Sequence, residues 1–267
     1  ITEAVGHEAQ AWMTARQQRA LAGLEKPEGP PLQRLYVEAD GTTVPMRVAK
    51  GAKRASDQRV QGKVEYKEVK LGAIFEATID ESGKPQAGTK SYTGTFGDAE
   101  SCIRQVRAEA KARGADEAGE IVLLSDGAEW LQKRLPEAFQ GQKVKSILDW
   151  CHPSERLTQI AHRLFGEGTP AAEAWADRLR DLLYEGKTLQ VIAEIEKLKP
   201  KTKDSQQYVR QALGYLRDND YRMNYAELRA QGYFIGSGII ESACKHIVNE
   251  RFKRSGMRWS KNHAPNL

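Results

Sequence analysis

Three carboxylates stand where an apolar run meets a turn or a helix begins: Asp40 in YVEADGTTVP, Asp126 in VLLSDGAEW and Glu241 in FIGSGIIESACK. In the first two, β-forming residues (Leu35 to Ala39, Ile121 to Leu124) run into an Asp-Gly step, which predicts an Asp at the end of a buried strand with the backbone turning away. In the third, Gly236 and Gly238 open a helix whose first turn carries Glu241. Hard divalent ions such as Mg²⁺ take oxygen ligands, usually only one or two protein carboxylates each. Three acids at one sheet edge can therefore hold two ions, with phosphate and water completing the shells. Such a site suits phosphodiester chemistry, one ion activating the attacking oxygen and the other stabilising the leaving one. Side chains alternate along a strand, so Glu38 and Asp40 share a face and either could be the first carboxylate; the Asp-Gly step favours Asp40. Singly, an Asp-Gly is a turn and Glu241 a complement to the positive end of its helix; the combination carries the reading.

The elements that must deliver these acids follow from hydrophobic periodicity. Residues 1 to 24, with Val5, Ala9, Trp12, Met13 and Leu21 apolar, read as a lead-in helix that KPEGPPLQ breaks. The first strand spans Leu35 to Ala39 and continues past Asp40-Gly41 into Thr42 to Val48, followed by a basic, Gly-punctuated loop from Ala49 to Gln61. Lys70 to Ile79 is a second strand, Glu81 to Lys90 a turn-rich link, and Ser91 to Thr95 a third strand. Asp98 then reads as the N-cap of a helix that Gly114 closes. A strand (Ile121 to Leu124), a helix (Ala128 to Leu135) and a fifth strand (Val144 to Trp150) complete a β-β-β-α-β-α-β order. That order predicts an α/β fold, a mixed five-stranded sheet with flanking helices and parallel crossover units after three adjacent strands.

From Pro153 to Gln231 only helical patterns occur: Glu155 to Phe165, Ala171 to Tyr184, Thr188 to Leu198 and Ser205 to Leu216. This all-α insertion precedes a helix from Ile239 to Phe252 that returns to the sheet. The expected units are 1–30 (lead-in), 31–152 (first part of the sheet domain), 153–233 (insertion) and 234–267 (final helix and basic tail). Trp130, Trp150 and Trp175 fall in amphipathic patterns and are expected to pack.

Composition narrows the function classes. Mean hydropathy is −0.63 and no segment approaches the roughly 20 apolar residues of a membrane span. ITEAVGHEAQ has neither the basic nor the apolar region of a secretory signal, and three scattered cysteines (Cys102, Cys151, Cys244) argue for reduced thiols; both point to a cytoplasmic protein. Net charge is +5, but its placement says more. From Glu241 onward six basic residues (Lys245, Arg251, Lys253, Arg254, Arg258, Lys261) face two acidic ones, and between Arg47 and Lys70 eight face three. Positive charge confined to two segments favours a polyanionic partner, the alternative being a solvated face.

The order DGTTVP on the first strand, DGAEW after the fourth, ILDWCHPSERL from the fifth, then FIGSGIIESACK and RFKRSGMRWS resembles the DDE transposases of bacterial insertion sequences, in particular the Kra-type family. The resemblance covers most of residues 35 to 261 and rests on several long motifs in order, not on the acids themselves. It implies an RNase H-like catalytic domain interrupted by a helical insertion before the last catalytic helix. It also implies Asp40, Asp126 and Glu241 as catalytic and metal-binding residues, with Mg²⁺ as cofactor and Mn²⁺ able to substitute. The implied partner is double-stranded DNA, both terminal inverted repeats and target, acted on by a homodimer or higher assembly associated with the nucleoid. Water would cut the element end and the freed 3′-hydroxyl would attack the target in line.

Asp149 and His152 resemble the D-x-x-H element that related transposases carry, with a role in positioning the scissile strand or organising the site; a helix-start Asp and a surface His are the plain alternative. Cys151 departs from the aromatic expected there, and zinc binding by Cys151 and His152 would need further ligands. Lys245, one turn from Glu241, could pair with it or hold a phosphate. Arg251, Lys253, Arg254, Arg258 and Lys261 extend the basic track, and Trp259 is expected either to stack on an unpaired base or to pack. Beginning without Met and ending in KNHAPNL, where such relatives continue, the chain reads as a fragment, a truncated copy or a processed form. Two other readings stay open: a transposase-derived protein that binds DNA without cutting it, and a different RNase H-like nuclease such as a junction resolvase.

Overall fold

The structure, a computed structural model, describes residues 2–25, 27, 29–47, 64–260 and 264. Helix α1 (Thr2–Leu21) precedes a meander of β1 (Leu35–Arg47), β2 (Val64–Ile79) and β3 (Pro85–Thr95). Then come α2 (Ala99–Ala112), β4 (Ile121–Ser125), α3 (Glu129–Glu137) and β5 (Val144–Leu148). A helical region follows: α4 (Cys151–Phe165), α5 (Pro170–Tyr184), α6 (Thr188–Glu196), α7 (Lys203–Asn219), a 3₁₀ turn (Asp220–Arg222) and α8 (Tyr225–Ala230). The chain returns through α9 (Gly238–Ala243), a π turn (Cys244–Asn249) and α10 (Glu250–Phe252), which run on without a break. The five strands form one mixed α/β sheet in the order β3-β2-β1-β4-β5, with β1 to β3 antiparallel and β4 and β5 parallel to β1. Among the described residues no helix is long and apolar enough to cross a membrane.

Local chemistry sets the ends of several elements. Asp98 caps α2 by accepting from the Ser101 amide at 2.8 Å, and Gly114 closes it at φ +88°. Thr169 with Pro170 behind it starts α5, and Thr202 starts α7. The hairpin between β2 and β3 turns on Asp80, whose carboxylate accepts from the Ser82 and Lys84 amides.

The meander strands are longer than the sequence predicts. β2 begins at Val64, not Lys70, and β3 at Pro85, because Asp80 confines the turn to a few residues and leaves polar, half-exposed stretches free to pair. β1 runs unbroken through Asp40-Gly41, since β2 pairs with it from Leu35 to Arg47. Asp40 therefore lies inside a strand, where β1 loses β4 as a neighbour, and not at a strand end. β5 stops at Leu148, two residues early, because the Trp150 amide bonds to the Ile235 carbonyl at 2.8 Å; α4 accordingly starts at Cys151. The basic loop from 49 to 61 lies outside the described residues, as does Lys261.

The two-residue period of a strand divides the core. Leu35, Val37 and Ala39 pack with Ile121 and Leu123 against α2 and α3. On the opposite face Tyr36, Val122, Leu124 and Ile147 meet α4 and the helical region. Further along that face Val44 and Met46, with Val69 and Leu71, are covered by Ile240, Val248 and Phe252 of the returning helix. Between these two apolar patches, in the same even-numbered series, stand Glu38 and Asp40. Trp150 and Trp175 pack against the helical-region core and Trp130 against the other face, as the amphipathic patterns predict.

Phe234 anchors the segment that leads into α9. Its ring meets Tyr36 and Phe75 edge-on at 5.4 and 5.9 Å, and its amide donates to the Tyr36 hydroxyl at 3.3 Å. Truncating this half-buried ring by Phe234→Ala should lower stability by about 2–4 kcal/mol in urea unfolding. Tyr36→Phe, which loses only the hydroxyl, should cost about 1 kcal/mol.

Candidate active site

Parallel pairing aligns three acids in a row. Glu38 lies opposite Leu124, so two residues on Asp40 comes level with Asp126. Ser125 lies opposite Leu148, so the next residues, Asp126 and Asp149, are also level. Asp126 and Asp149 leave the carboxyl ends of β4 and β5, Asp126 half-buried and Asp149 wholly buried. Glu241 approaches from above on the first turn of α9.

Each acid on the strands takes a main-chain donor. Gly41 donates to Asp40 Oδ1 at 2.6 Å and Ala128 to Asp126 Oδ1 at 2.8 Å. Asp149, wholly buried, accepts from the Ser237 and Cys151 amides through Oδ1 at 3.0 and 3.3 Å, and its Oδ2 meets His152 Nδ1 at 2.7 Å. Glu38, also wholly buried, accepts from the Ile240 amide at 2.8 Å, while its Oε1 has no partner. Glu241 accepts from the Ser237 hydroxyl at 3.1 Å and not from Lys245. Among the described residues no Lys or Arg forms an ion pair with any of these five acids. The cluster carries a deficit of positive charge.

The electrostatics register that deficit. Burial raises Asp40, and the nearby Asp126 charge raises it further, against the Gly41 hydrogen bond. Burial, then the charges of Asp149 and Glu241, push Glu38 up to about 8. His152 is raised by its bond to Asp149, which favours the imidazolium, and it also feels Asp126. Asp40 also accepts weakly from the Cys244 thiol at 3.7 Å.

The predicted triad is brought to one region but not gathered into one cluster. Asp40 faces Asp126, whereas Glu241 lies with Asp149 and Cys151, their ligand atoms all within 4.8 Å of one another. Asp40 and Asp126 offer oxygen donors alone, a set that fits a hard cation such as Mg²⁺ or Mn²⁺. Asp149 and His152 make the direct contact that an i, i+3 pair at the start of α4 allows. Of the basic residues, Lys245, Arg251, Lys253, Arg254 and Arg258 are exposed, and Lys253 donates to the Thr42 hydroxyl at 2.7 Å. Trp259 packs: its indole N–H donates to the Phe252 carbonyl at 3.1 Å, its ring meets Phe252 at 5.4 Å, and its backbone bridges Met46.

Sequence reasoning missed the support beneath Asp126. The Tyr215 hydroxyl donates to the Asp126 carbonyl at 3.0 Å, and Arg156 stacks over the Tyr215 ring at 3.9 Å. Arg222, buried, donates to Asn219 at 2.8 Å and to the Ser125 hydroxyl at 3.5 Å, and feels the Asp126 charge. Gly127 fits under this support at φ +86°, where a Cβ would come within 3.0 Å of Leu148 and 3.1 Å of Tyr215. Only the Asp-Gly dipeptide signalled any of it. Comparison of the chain with protein-family models and with curated proteins yields no match.

The proton on Glu38 gives a pH signature. Its carboxyl holds that proton to about 8 when folded but to 4.5 as the ordinary value, so the folded state binds more protons between these limits. The stability this proton carries is complete below the ordinary value, declines as pH rises and is lost above about 8. Glu38→Gln, neutral throughout, should gain on the parent between pH 5 and 8 by a few kcal/mol in urea unfolding at several pH values. Parallel stability curves would show that Glu38 does not hold the proton.

Proposed function

We propose that the chain is a metal-dependent DNA strand-transfer enzyme of the DDE transposase kind, with an RNase H-like catalytic domain and a helical insertion before its last acid. The observation that carries this reading is the row of acids, Asp40, Asp126 and Asp149, level across three parallel strands, with Glu241 above it and no Lys or Arg ion-paired with them among the described residues. The three-stranded meander leading into parallel units and the return of α9 after the helical region support the fold part of the reading.

Asp40 and Asp126 would hold Mg²⁺, with Glu241 as the third ligand of the resemblance. Bound there, the ion would polarise the scissile phosphodiester and lower the pKa of the attacking hydroxyl. Asp149 and His152 orient one another beside the row; a protonated His152 offers a positive charge near a phosphate. Lys245, Arg251, Arg254 and Arg258 lie exposed along and beyond the same helix, a track for the DNA backbone leading away from Glu241. Tyr215 and Arg222 fix the Asp126 turn from behind, so the helical region serves as a brace for the site.

The test is nicking and joining of DNA that carries the element's terminal repeats, with Mg²⁺ or Mn²⁺. Asp40→Asn and Asp126→Asn should each lower the rate at least about 100-fold, roughly 2.7 kcal/mol of barrier, with DNA affinity retained. Arg254→Ala and Arg258→Ala should each weaken binding regardless of sequence and lower the salt slope by about one. Cleavage that survives both Asp substitutions would refute the assignment. Tight salt-sensitive binding without cleavage in either metal would assign a binding role instead.

A further inference from the structure

The structure supplies what the sequence lacks for a thiolate-containing metal site. Cys151 has no paired cysteine in sequence, yet its sulfur, an Asp149 oxygen and a Glu241 oxygen lie within 4.8 Å of one another. Cys151 and Glu241 are exposed and line a cleft of about 840 Å³ between the β2–β3 hairpin, α8 and the start of α9, so an ion can enter from solvent. Asp149 is wholly buried and held in place by His152 Nδ1 at 2.7 Å, an imidazole behind a ligand carboxylate. A separate observation concerns a buried oxygen beside the same helix start. Glu38 Oε1, wholly buried, has no hydrogen-bond partner, while the other oxygen of that carboxyl group accepts from the amide of Ile240, the neighbour of Glu241. A buried oxygen without a partner, next to three donors able to ligate a metal, is a group that a nearby cation would satisfy.

We propose that Asp149, Cys151 and Glu241 form a second cation site, for a thiophilic divalent ion such as Zn²⁺, distinct from the all-oxygen Asp40–Asp126 pair. Three protein donors of mixed sulfur and oxygen type with one side open to a cleft match the ligand count of zinc sites that keep a solvent position. Mg²⁺, which avoids sulfur, has no reason to choose it. As the metal–sulfur bond forms, the Cys151 thiol releases its proton to solvent. Occupation fixes Glu241 beside Asp149 and keeps it from joining Asp40 and Asp126. The ion then acts as an inhibitor of the Mg²⁺-dependent reaction, a consequence that rests on the function proposed above, whereas the binding itself does not.

Binding is measured first, on the whole chain, by equilibrium dialysis with Zn²⁺ and by titration with Cd²⁺, whose thiolate complex absorbs in the near ultraviolet. One ion per chain and a cadmium–thiolate band are expected. Cys151→Ser should abolish the band and Glu241→Gln should weaken zinc binding, both by more than the roughly 10- to 100-fold expected for His152→Ala. Cys102→Ser, which alters a thiol buried against the opposite face of the sheet, should change neither. Circular dichroism of each variant separates loss of the site from loss of the fold. A cadmium band that persists in Cys151→Ser, or zinc affinity unchanged in Glu241→Gln, would overturn the site. Nicking in Mg²⁺ with added Zn²⁺ is scored against each protein's own zinc-free rate: the parent should be inhibited and Cys151→Ser should resist by at least tenfold in zinc concentration. Equal inhibition of the two would overturn the inhibitory role, and absence of nicking in every protein would refute the function while leaving the binding result intact.

Discussion

The period of two along β1 governs the architecture around the acids. Tyr36, Glu38, Asp40, Val44 and Met46 must all point to one face, and the apolar members at either end draw different partners: the helical region over Tyr36, the returning helix over Val44 and Met46. Neither partner fills the middle with apolar side chains, so two carboxyl groups, Glu38 wholly buried and Asp40 half-buried, sit at the seam between two dry cores. Parallel pairing then adds Asp126 and Asp149 at the same level. Desolvation and mutual repulsion oppose ionising so many acids together, and the chain answers with main-chain N–H donors and, His152 at Asp149 apart, not with basic side chains. Donors of that kind steady each carboxylate without cancelling its charge, which leaves the cluster suited to a cation.

Glu38 links this cluster to the helix that carries Glu241. Its bond to the Ile240 amide satisfies one of the free donors at the start of α9 and pins that helix end over the sheet. On the approach to α9, Trp150 bonds to Ile235, Ser237 bonds to Asp149, and Phe234 packs edge-on against the Tyr36–Phe75 pair. The position of Glu241 thus depends on contacts to β1, β2 and β5 at once, and none of them involves Glu241 itself.

The legible parts of the sequence are those where one local rule decides. Apolar Ile121 to Leu124 followed by Asp-Gly fixes a buried strand and its turn, and Asp98 with Gly114 brackets α2, because caps and turns depend on residues a few positions apart. Asp149 and His152, three apart at a helix start, meet as their spacing allows. What stays hidden depends on distant partners. β1 passes through Asp40-Gly41 only because β2 continues beside it, and the polar first halves of β2 and β3 become strands only by pairing. Tyr215 and Arg222 lie in a helical region that gives no sign of touching a strand end 89 and 97 residues earlier. The grouping of Glu241 with Cys151, not with Asp40 and Asp126, is likewise set by where α9 docks.

That docking has a geometric peculiarity that bears on Glu241. The returning helix is held at its start by Glu38 and at its far end by Val248, Phe252 and Trp259 against Val44 and Met46. Both anchors lie on one sheet face, and a regular helix of 3.6 residues per turn would have to meet both in a single phase. The π turn from Cys244 through Asn249 inserts extra backbone between the anchors and resets that phase, so Ile240 and Val248 can both face the sheet. Cys244, at the junction, is the residue that meets Asp40. A π turn placed there lets the pinned first turn of α9, which carries Glu241, and the distal anchor each keep their own contacts with the same sheet face.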